Sequence, residues 1–283
     1  MSTKSCFRMI SGKEVKSHGG LAGLIKHDLR ESVSTFKNIR SELRAQNGYH
    51  IVGRPIEDIL AENARIVKSK TGRKMQANAL TLRECIMELP EDWDKERIND
   101  MVRVCREVTT IPIYRYYNKQ EEIDGKNKVV SYPLLDEEGH HIKSPLELEL
   151  VAVIYHGDEG HWVTAEGNTA GLAVGTDGKW HDAAGMIHDP KTEGLTWKVH
   201  HHCHPWYNCL DRNTGKSIRL ASEELSQIQT LVAKRLGMER GIKGSNRARV
   251  STEEYSRMQQ IEAEIDYFGD CHPGISAITT HFD

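Results

Sequence analysis

At 283 residues, 38% hydrophobic and 28% charged, the chain has apolar side chains enough for one large domain or two modest ones, and too many for a disordered polymer. A net charge of −3 excludes a global basic field that would hold nucleic acid regardless of geometry. No apolar run reaches the roughly 18–20 residues of a membrane span, and the polar start "MSTKSCFRMISGKE" lacks a signal-peptide core, so a cytoplasmic protein is expected. The six cysteines are scattered without a CxxC pair, which argues against a disulfide scaffold and a cysteine-based zinc site.

In chain order, "SCFRMISG" reads as a short strand ended by Gly12. Residues 20–45 carry a helical stripe of Leu21, Leu24, Ile25 and Leu29. "RPIEDILAENARIV" predicts a second helix with Pro55 near its first turn. "ANALTLRECIMELP" is apolar enough for a buried strand stopped by Pro90, and "DKERINDMVRVCREV" follows as a helix with Ile98, Met101, Val102 and Cys105 inward. "LELELVAVIYH", 146–156, is the strongest strand. Residues 157–196, rich in Gly, Asp, Thr and Ala, predict a long loop or decorated hairpin, a length ordinarily reserved for function. "WKVHHHCHPWYNC" predicts one further strand. "SEELSQIQTLVAKRLG" is a helix with Ser222 as N-cap and Gly237 at its end, and the tail helix after it is capped by Ser251 or Thr252. Strands separated by helices give an α+β class: an antiparallel sheet core with flanking helices.

Chemistry concentrates on two strands. "VIYHGDEGH" offers His156, Asp158 and Glu159 at its exit, and the strand at 197–207 offers His202 and His204. If the two are neighbours, three imidazoles and a carboxylate meet. That donor set suits one divalent metal with positions left open for a phosphate oxygen. A two-residue period also places His200 on the face of His202 and His204 and sends His201 to the other, so His200/His202 is an alternative ligand pair. In "GGLAGLIKHDLR", His27 and Arg30 stand three apart on one helix face, where a guanidinium can hold phosphate beside the imidazole. "RAQNGYHIVG" places Asn47 and Tyr49 near the end of that helical pattern. Basic clusters at 68–74 and 235–249 can follow a phosphate backbone, although such clusters are more often solvated faces.

The order of these pieces resembles the Mob/Pre family of plasmid mobilisation and recombination proteins, relaxases of the histidine-hydrophobe-histidine endonuclease superfamily. "SCFRMISGKEVKSHGGLAGLIKHDLRE" looks like the family's first motif, "QNGYHI" like its Asn-Tyr segment, and "GRKMQANALTLRECIMELPEDW" like the strand before the metal strand. "VAVIYHGDEGH" and "VHHHCHPWYNCLDRNTGKSIRLASEELSQIQTLVAKRLGMERG" together look like its third motif and the helix behind it. The resemblance spans roughly residues 5–260. Departures are clear: the third motif is split by a long insertion and lacks the usual Pro, Asp28 stands where the family has Asn, and Gly48 separates Asn47 from Tyr49.

The resemblance implies a relaxase domain over 1–240 with an insertion at about 160–196 between the metal-ligand strands, then a C-terminal helical tail over 241–283. It implies one divalent metal, Mn2+ or Mg2+, on His156, His202 and His204, with Glu159 or Asp158 orienting a ligand and His200 or His161 as alternatives. His27 becomes the nucleophile of a DNA nick that leaves a 5′-phosphohistidine link, Tyr49 is the alternative nucleophile, and Arg30 attends the phosphate. The implied partners are an origin DNA hairpin and its adjacent single strand, a type IV coupling protein or accessory DNA-binding protein, and a second copy of the chain. Lys26, Arg44, Asn47, Arg73 and Lys74 are the candidate DNA contacts. Trp206 and Tyr207 are candidates for stacking on bases; Trp197 fits a core better. Two other readings compete: a rolling-circle replication initiator or single-strand transposase, and a DNA-binding regulator on a degenerate relaxase scaffold. The first of these normally carries a tyrosine on the helix after the histidine strand, and "SEELSQIQTLVAKRL" has none.

Overall fold

A computed structural model describes residues 4–5, 7–10, 20–31, 38–76 and 79–241. The expected tail helix with its Ser251 or Thr252 cap, Gly12, and most of the basic cluster at 235–249 lie outside the described residues. The chain forms two compact units, one built mainly on 40–159 and 199–241 and the other mainly on 160–198.

The first unit is organised by a five-stranded sheet. Its strands are β1 (Phe7–Met9), β2 (Gly48–Ile51), β3 (Leu82–Glu88), β4 (Glu149–His156) and β5 (His202–Asn208). Their spatial order is β1-β3-β5-β4-β2, and every neighbouring pair is antiparallel. Among the described residues, four α-helices flank it: α1 (Leu21–Asp28), α2 (Ile56–Thr71), α3 (Ile98–Thr110) and α4 (Ser222–Leu236). The architecture is α+β, as the alternation of strand and helix patterns predicts.

Both central strands are buried on both faces, which is why "LVAVIYH" reads as an unbroken apolar run rather than an alternating one. Alternation still sorts their side chains. Val153, Tyr155, Cys203 and Tyr207 pack with Phe7, Met87, Met101, Cys105, Ile228 and Val232, drawing α3 and α4 onto one face. Ala152, Ile154 and Trp206 pack with Leu24, Ile25, Ile56 and Ile59, drawing α1 and α2 onto the other. Each such aliphatic side chain contributes about 1.5–3 kcal/mol on burial. Trp206 and Tyr207 are fully buried, so neither is available to stack on a base.

Several boundaries differ from expectation. The pattern over 20–45 does not make one helix: α1 stops at Asp28, and a 3-10 helix occupies Ser41–Gln46. Its end is a Schellman motif in which Arg30 N–H donates to His27 O at 3.0 Å and Glu31 N–H to Lys26 O at 2.9 Å. Glycine usually fills the left-handed position of this motif; here it is Arg30, with φ of 55°. The strand expected across 197–207 is interrupted, and β5 begins at His202. Helix α4 is capped at Ala221 rather than Ser222, because Glu224 reaches back to accept from Ala221 N–H at 2.8 Å. Gly237 ends it in the left-handed conformation, as expected. A hairpin of Tyr116–Ile123 and Lys126–Pro133 was not read from the sequence. Its Asp124-Gly125 turn, with φ of 55° and 70°, is a recognisable signal, but mostly exposed strands hide the period.

The second unit carries a ladder between Gly160–Val163 and Thr196–Val199 and a three-stranded sheet of Ala173–Val174, Trp180–His181 and Ile187–His188. Trp162, Trp180 and Trp197 form a triangle with ring centroids 5.3–5.6 Å apart. Trp197 is thus a packing residue of this unit, and the region folds as a small decorated hairpin.

Candidate metal centre

Antiparallel pairing places His202 directly opposite His156, with His204 opposite Ile154. The two-residue period then directs His156, His202 and His204 to the sheet face that carries α1. Ring centroids lie 5.4 Å apart for His156–His202, 4.4 Å for His156–His204 and 4.9 Å for His202–His204. All three side chains are buried, and one ligating nitrogen from each lies within 4.8 Å of the others.

Hydrogen bonding fixes which nitrogens are free to ligate. His156 Nε2 donates to Asp28 O at 2.9 Å, His202 Nδ1 donates to His200 O at 2.7 Å, and His204 Nδ1 donates to the Glu84 carboxylate. Each ring therefore keeps its lone pair on the other nitrogen. His156 Nδ1 and His204 Nε2 are buried without a hydrogen-bond partner. Leaving such an atom unmet costs about 1–3 kcal/mol. Burial holds His202 down to about 4 and His204 well below the ordinary imidazole range, so both rings are neutral and basic enough to ligate at neutral pH. Three buried imidazoles, each with a nitrogen turned toward the others, fit a divalent transition-metal ion with positions to spare.

Around this triad sits a charged lattice. Glu159 lies 3.2 Å from His156 Nδ1 and 3.4 Å from His202 Nε2, and it also pairs with Arg30. Burial opposes its charge, but His202, His156 and Arg30 outweigh that and hold its carboxyl well below the usual range. Arg30 grips Asp158 through Nε at 3.1 Å and Nη2 at 2.9 Å. Asp158 is thereby tied to Arg30 rather than to a ligand histidine, and of the two acids only Glu159 faces the triad. The third Arg30 nitrogen, Nη1, is 3.3 Å from His27 O and 3.5 Å from His27 Nδ1. The His27 ring stands 6.0 Å from that of His156 and 6.5 Å from that of His204. The structure thus brings His27, Arg30, Glu159, His156, His202 and His204 to one place.

Other expected residues fall elsewhere. His200 is bonded to Glu88 at 2.8 Å and belongs to neither of the clusters able to hold a metal among the described residues. This disfavours the His200/His202 pairing. Glu88 pushes the His200 imidazole up, toward its charged form. His201 turns to the opposite face, beside Tyr155 Oη at 2.9 Å. His161 lies on Gly160–Val163 of the second unit and is also outside both clusters. Tyr49, on edge strand β2, is 71% exposed, and no described hydrogen bond or ring contact ties it to the triad. Lys26, Arg44, Arg73 and Lys74 are exposed. Asn47 differs: its Oδ1 accepts from Gly157 N–H at 2.7 Å and Asp158 N–H at 3.1 Å, so it holds the turn that presents Asp158 and Glu159.

Two acids behind His204 were not assigned a part in the site from sequence. Glu84 on β3 accepts from His204 Nδ1, and Asp28 Oδ1 lies 3.7 Å from the same nitrogen. Asp28 Oδ2 accepts from Trp206 Nε1 at 2.8 Å. Burial raises the Asp28 carboxyl to about 7, against the pull of His156, Trp206 and Arg30. The signal for Glu84 was available: two acids, Glu84 and Glu88, sit four apart in a strand otherwise apolar enough to be buried.

No protein-family model and no curated protein matches the chain. Among solved structures, the chain is similar to the MobM relaxase domain (MOBV; Mob_Pre) bound to plasmid pMV158 oriT DNA, in its Mn-bound crystal form with a 3′-thiophosphate at pH 6.8. The identity is 17%, with 90% of this chain and 99% of that chain covered and a TM-score of 0.50. Two further crystal structures of that domain with the same DNA, at pH 5.5 and pH 4.6, give 15% and 17% identity, full coverage of the other chain, and TM-scores of 0.49 and 0.48. The likeness shows a shared fold, an antiparallel sheet with flanking helices.

Proposed function

We propose that the chain is a metal-dependent DNA nicking-joining enzyme that cuts one strand at a transfer origin by transesterification. The observation that carries this reading is the convergence of three buried imidazoles, His156, His202 and His204, beside the His27–Arg30 pair. The fold shared with a relaxase domain crystallised with Mn and oriT DNA supports it. The catalytic domain would extend over 1–240, interrupted at about 160–196.

His156, His202 and His204 would hold one divalent cation, Mn2+ or Mg2+, which when bound supplies charge neutralisation at the scissile phosphate. The remaining chemistry belongs to the chain. Neutral His27 offers a ring lone pair to phosphorus. The nitrogen–phosphorus bond forms as the phosphorus–O3′ bond breaks, the 3′ oxygen takes up a proton, and the imidazole sheds its own to solvent. The phosphoester energy stays in the link, so a 3′-hydroxyl can reverse the step without ATP. Arg30, anchored by Asp158, keeps Nη1 toward His27 and orients the ring. Glu159 keeps His156 and His202 in place. DNA affinity would come largely from exposed cations such as Lys26, Arg44, Arg73 and Lys74, and would fall as salt rises.

Supercoiled plasmid carrying the DNA that flanks the coding sequence, incubated with Mn2+, tests the reading. Relaxed plasmid with protein fixed to a 5′ end, absent for His27→Ala and retained for Tyr49→Phe, is the expected result. Adduct that survives His27→Ala and disappears with Tyr49→Phe overturns the histidine assignment. Absence of adduct with metal bound overturns the nicking activity on that DNA.

A further inference from the structure

Asp28 follows His27 directly, is the last residue of α1, and is 1% exposed. Its main-chain oxygen accepts from His156 Nε2 on β4 at 2.9 Å, and its Oδ2 accepts from Trp206 Nε1 on β5 at 2.8 Å. Its Oδ1 has no hydrogen-bond partner and faces His204 Nδ1 at 3.7 Å. One residue thus touches both ligand strands while its neighbour in sequence carries an imidazole whose ring stands 6.0 Å from that of His156.

We infer that Asp28 is a positioning residue: its carboxylate pins the end of α1 to β5 and so fixes His27 relative to the metal ligands. The inference rests on the proposed nicking reading for its kinetic consequence, though not for its structural one. The Trp206 contact requires an acceptor at Oδ2, while Oδ1 has no hydrogen-bond partner. Trp206 Nε1 and His204 Nδ1 are both N–H donors, the first bonded to Asp28 and the second to Glu84. A carboxamide of the same shape must aim its NH2 at one of them, donor against donor, so Asp28→Asn disturbs the link while preserving volume. The other contact, through the main-chain oxygen, survives any substitution. The side chain's share is therefore separable by mutation.

The test uses the full chain as wild type, Asp28→Asn, Asp28→Ala and Trp206→Phe, with Mn2+ as the probe. The expected kinetic result is that adduct formation at saturating Mn2+ and DNA slows roughly 10–100-fold in both Asp28 variants. The DNA concentration at half-maximal rate stays within about twofold, because the lost interaction acts on His27 placement rather than on DNA binding. Trp206→Phe, which keeps an aromatic ring and deletes only the donor, shows the same direction and stands in if an Asp28 variant fails to fold. Hydrogen exchange reads the link without catalysis. Mn2+ slows exchange across Leu24–Asp28 in wild type, and that slowing shrinks in Asp28→Asn and Trp206→Phe although Mn2+ still binds. Equal metal-induced protection in wild type and variants overturns the inference, as does an unchanged adduct rate. If wild type forms no adduct at all, the nicking reading fails while the exchange measurement still decides the part played by Asp28.

Discussion

His202 lies directly across the β4–β5 ladder from His156, and this single pairing brings the second half of the histidine triad to the first. His156 Nδ1 and, two residues on from His202, His204 Nε2 are buried without a hydrogen-bond partner, and such unmet lone pairs favour a bound cation. Mn2+ at 100 times its dissociation constant should raise unfolding free energy by about 2.7 kcal/mol. Differential scanning fluorimetry with and without EDTA measures it. His156→Ala or His202→Ala should erase the metal-dependent rise, and a rise that persists in both places the ion elsewhere.

Glu84 holds the far nitrogen of His204, fixing its tautomer and ring orientation. Glu84→Gln should weaken Mn2+ binding roughly 10–100-fold, as loss of such supporting carboxylates does elsewhere. Titration calorimetry reports the affinity directly, and an unchanged constant shows that the packing around His204 suffices.

Arg30 combines two opposed contributions. Its left-handed backbone costs on the order of 1–3 kcal/mol, whereas removing one partner of a buried ion pair costs about 3–5 kcal/mol. Arg30→Gly relieves the first and incurs the second, so the variant should be less stable by roughly 2 kcal/mol in urea denaturation. A variant more stable than wild type means that backbone strain outweighs the Asp158 pairing.

Gly157 stands where a Cβ would meet Gln46 O at 2.7 Å, and its N–H is one of the two that Asn47 holds. Gly157→Ala should push the Ser41–Gln46 turn away, release the Asp158–Glu159 corner and cost about 1–3 kcal/mol. Asn47→Ala should act in the same direction with less steric disturbance. Chemical denaturation of both variants checks the order.

The second unit carries a pH dependence of definite sign. His188 is raised above its ordinary value by Glu193 and Asp182, and His181 by Asp177 and the Gly185 carbonyl. A histidine whose folded value is raised contributes stability fully present below about 6.5, lost as pH rises through the folded value. Amides over 180–188, corrected for intrinsic rates, should therefore exchange more slowly at pH 6 than at pH 8. His188→Gln should flatten part of that difference, and an opposite slope rules the pairing out.

The strongest sequence signals came from burial. The apolar run at 149–156, the helix after Pro55 and the left-handed end at Gly237 all carry their conformations in local residue choice. The histidine triad was legible because strand alternation is rigid: given that 149–156 and 202–208 are neighbours, the face of every side chain follows. What alternation could not supply was the strand's starting point. His200 and His201 fit a continuous strand, but His200 N–H donates to Glu159 O, and the break there takes His200 out of the ligand set. Arg30 was recognised as the companion of His27, but its anchoring by Asp158 depends on residues 128 positions apart and leaves no local trace. The contacts of Asp28 with Trp206 and His204 were hidden for the same reason, whereas Glu84 left a signal, standing four residues from Glu88 in a strand apolar enough to be buried. An acid that serves a partner on another strand looks, in sequence, like any other acid.

The ladder between Gly160–Val163 and Thr196–Val199 closes the insertion at its base, tightly enough that a Cβ on Gly160 would meet Lys198 O at 2.2 Å. Beyond such a closure, extra chain adds only loop entropy, about 0.6 kcal/mol for each doubling of length. Descendants of one ancestral protein can therefore gain, lose or exchange the material between 164 and 195 with little thermodynamic resistance. The spacing of His156 and His202 along the chain can then change while their pairing across the sheet stays fixed.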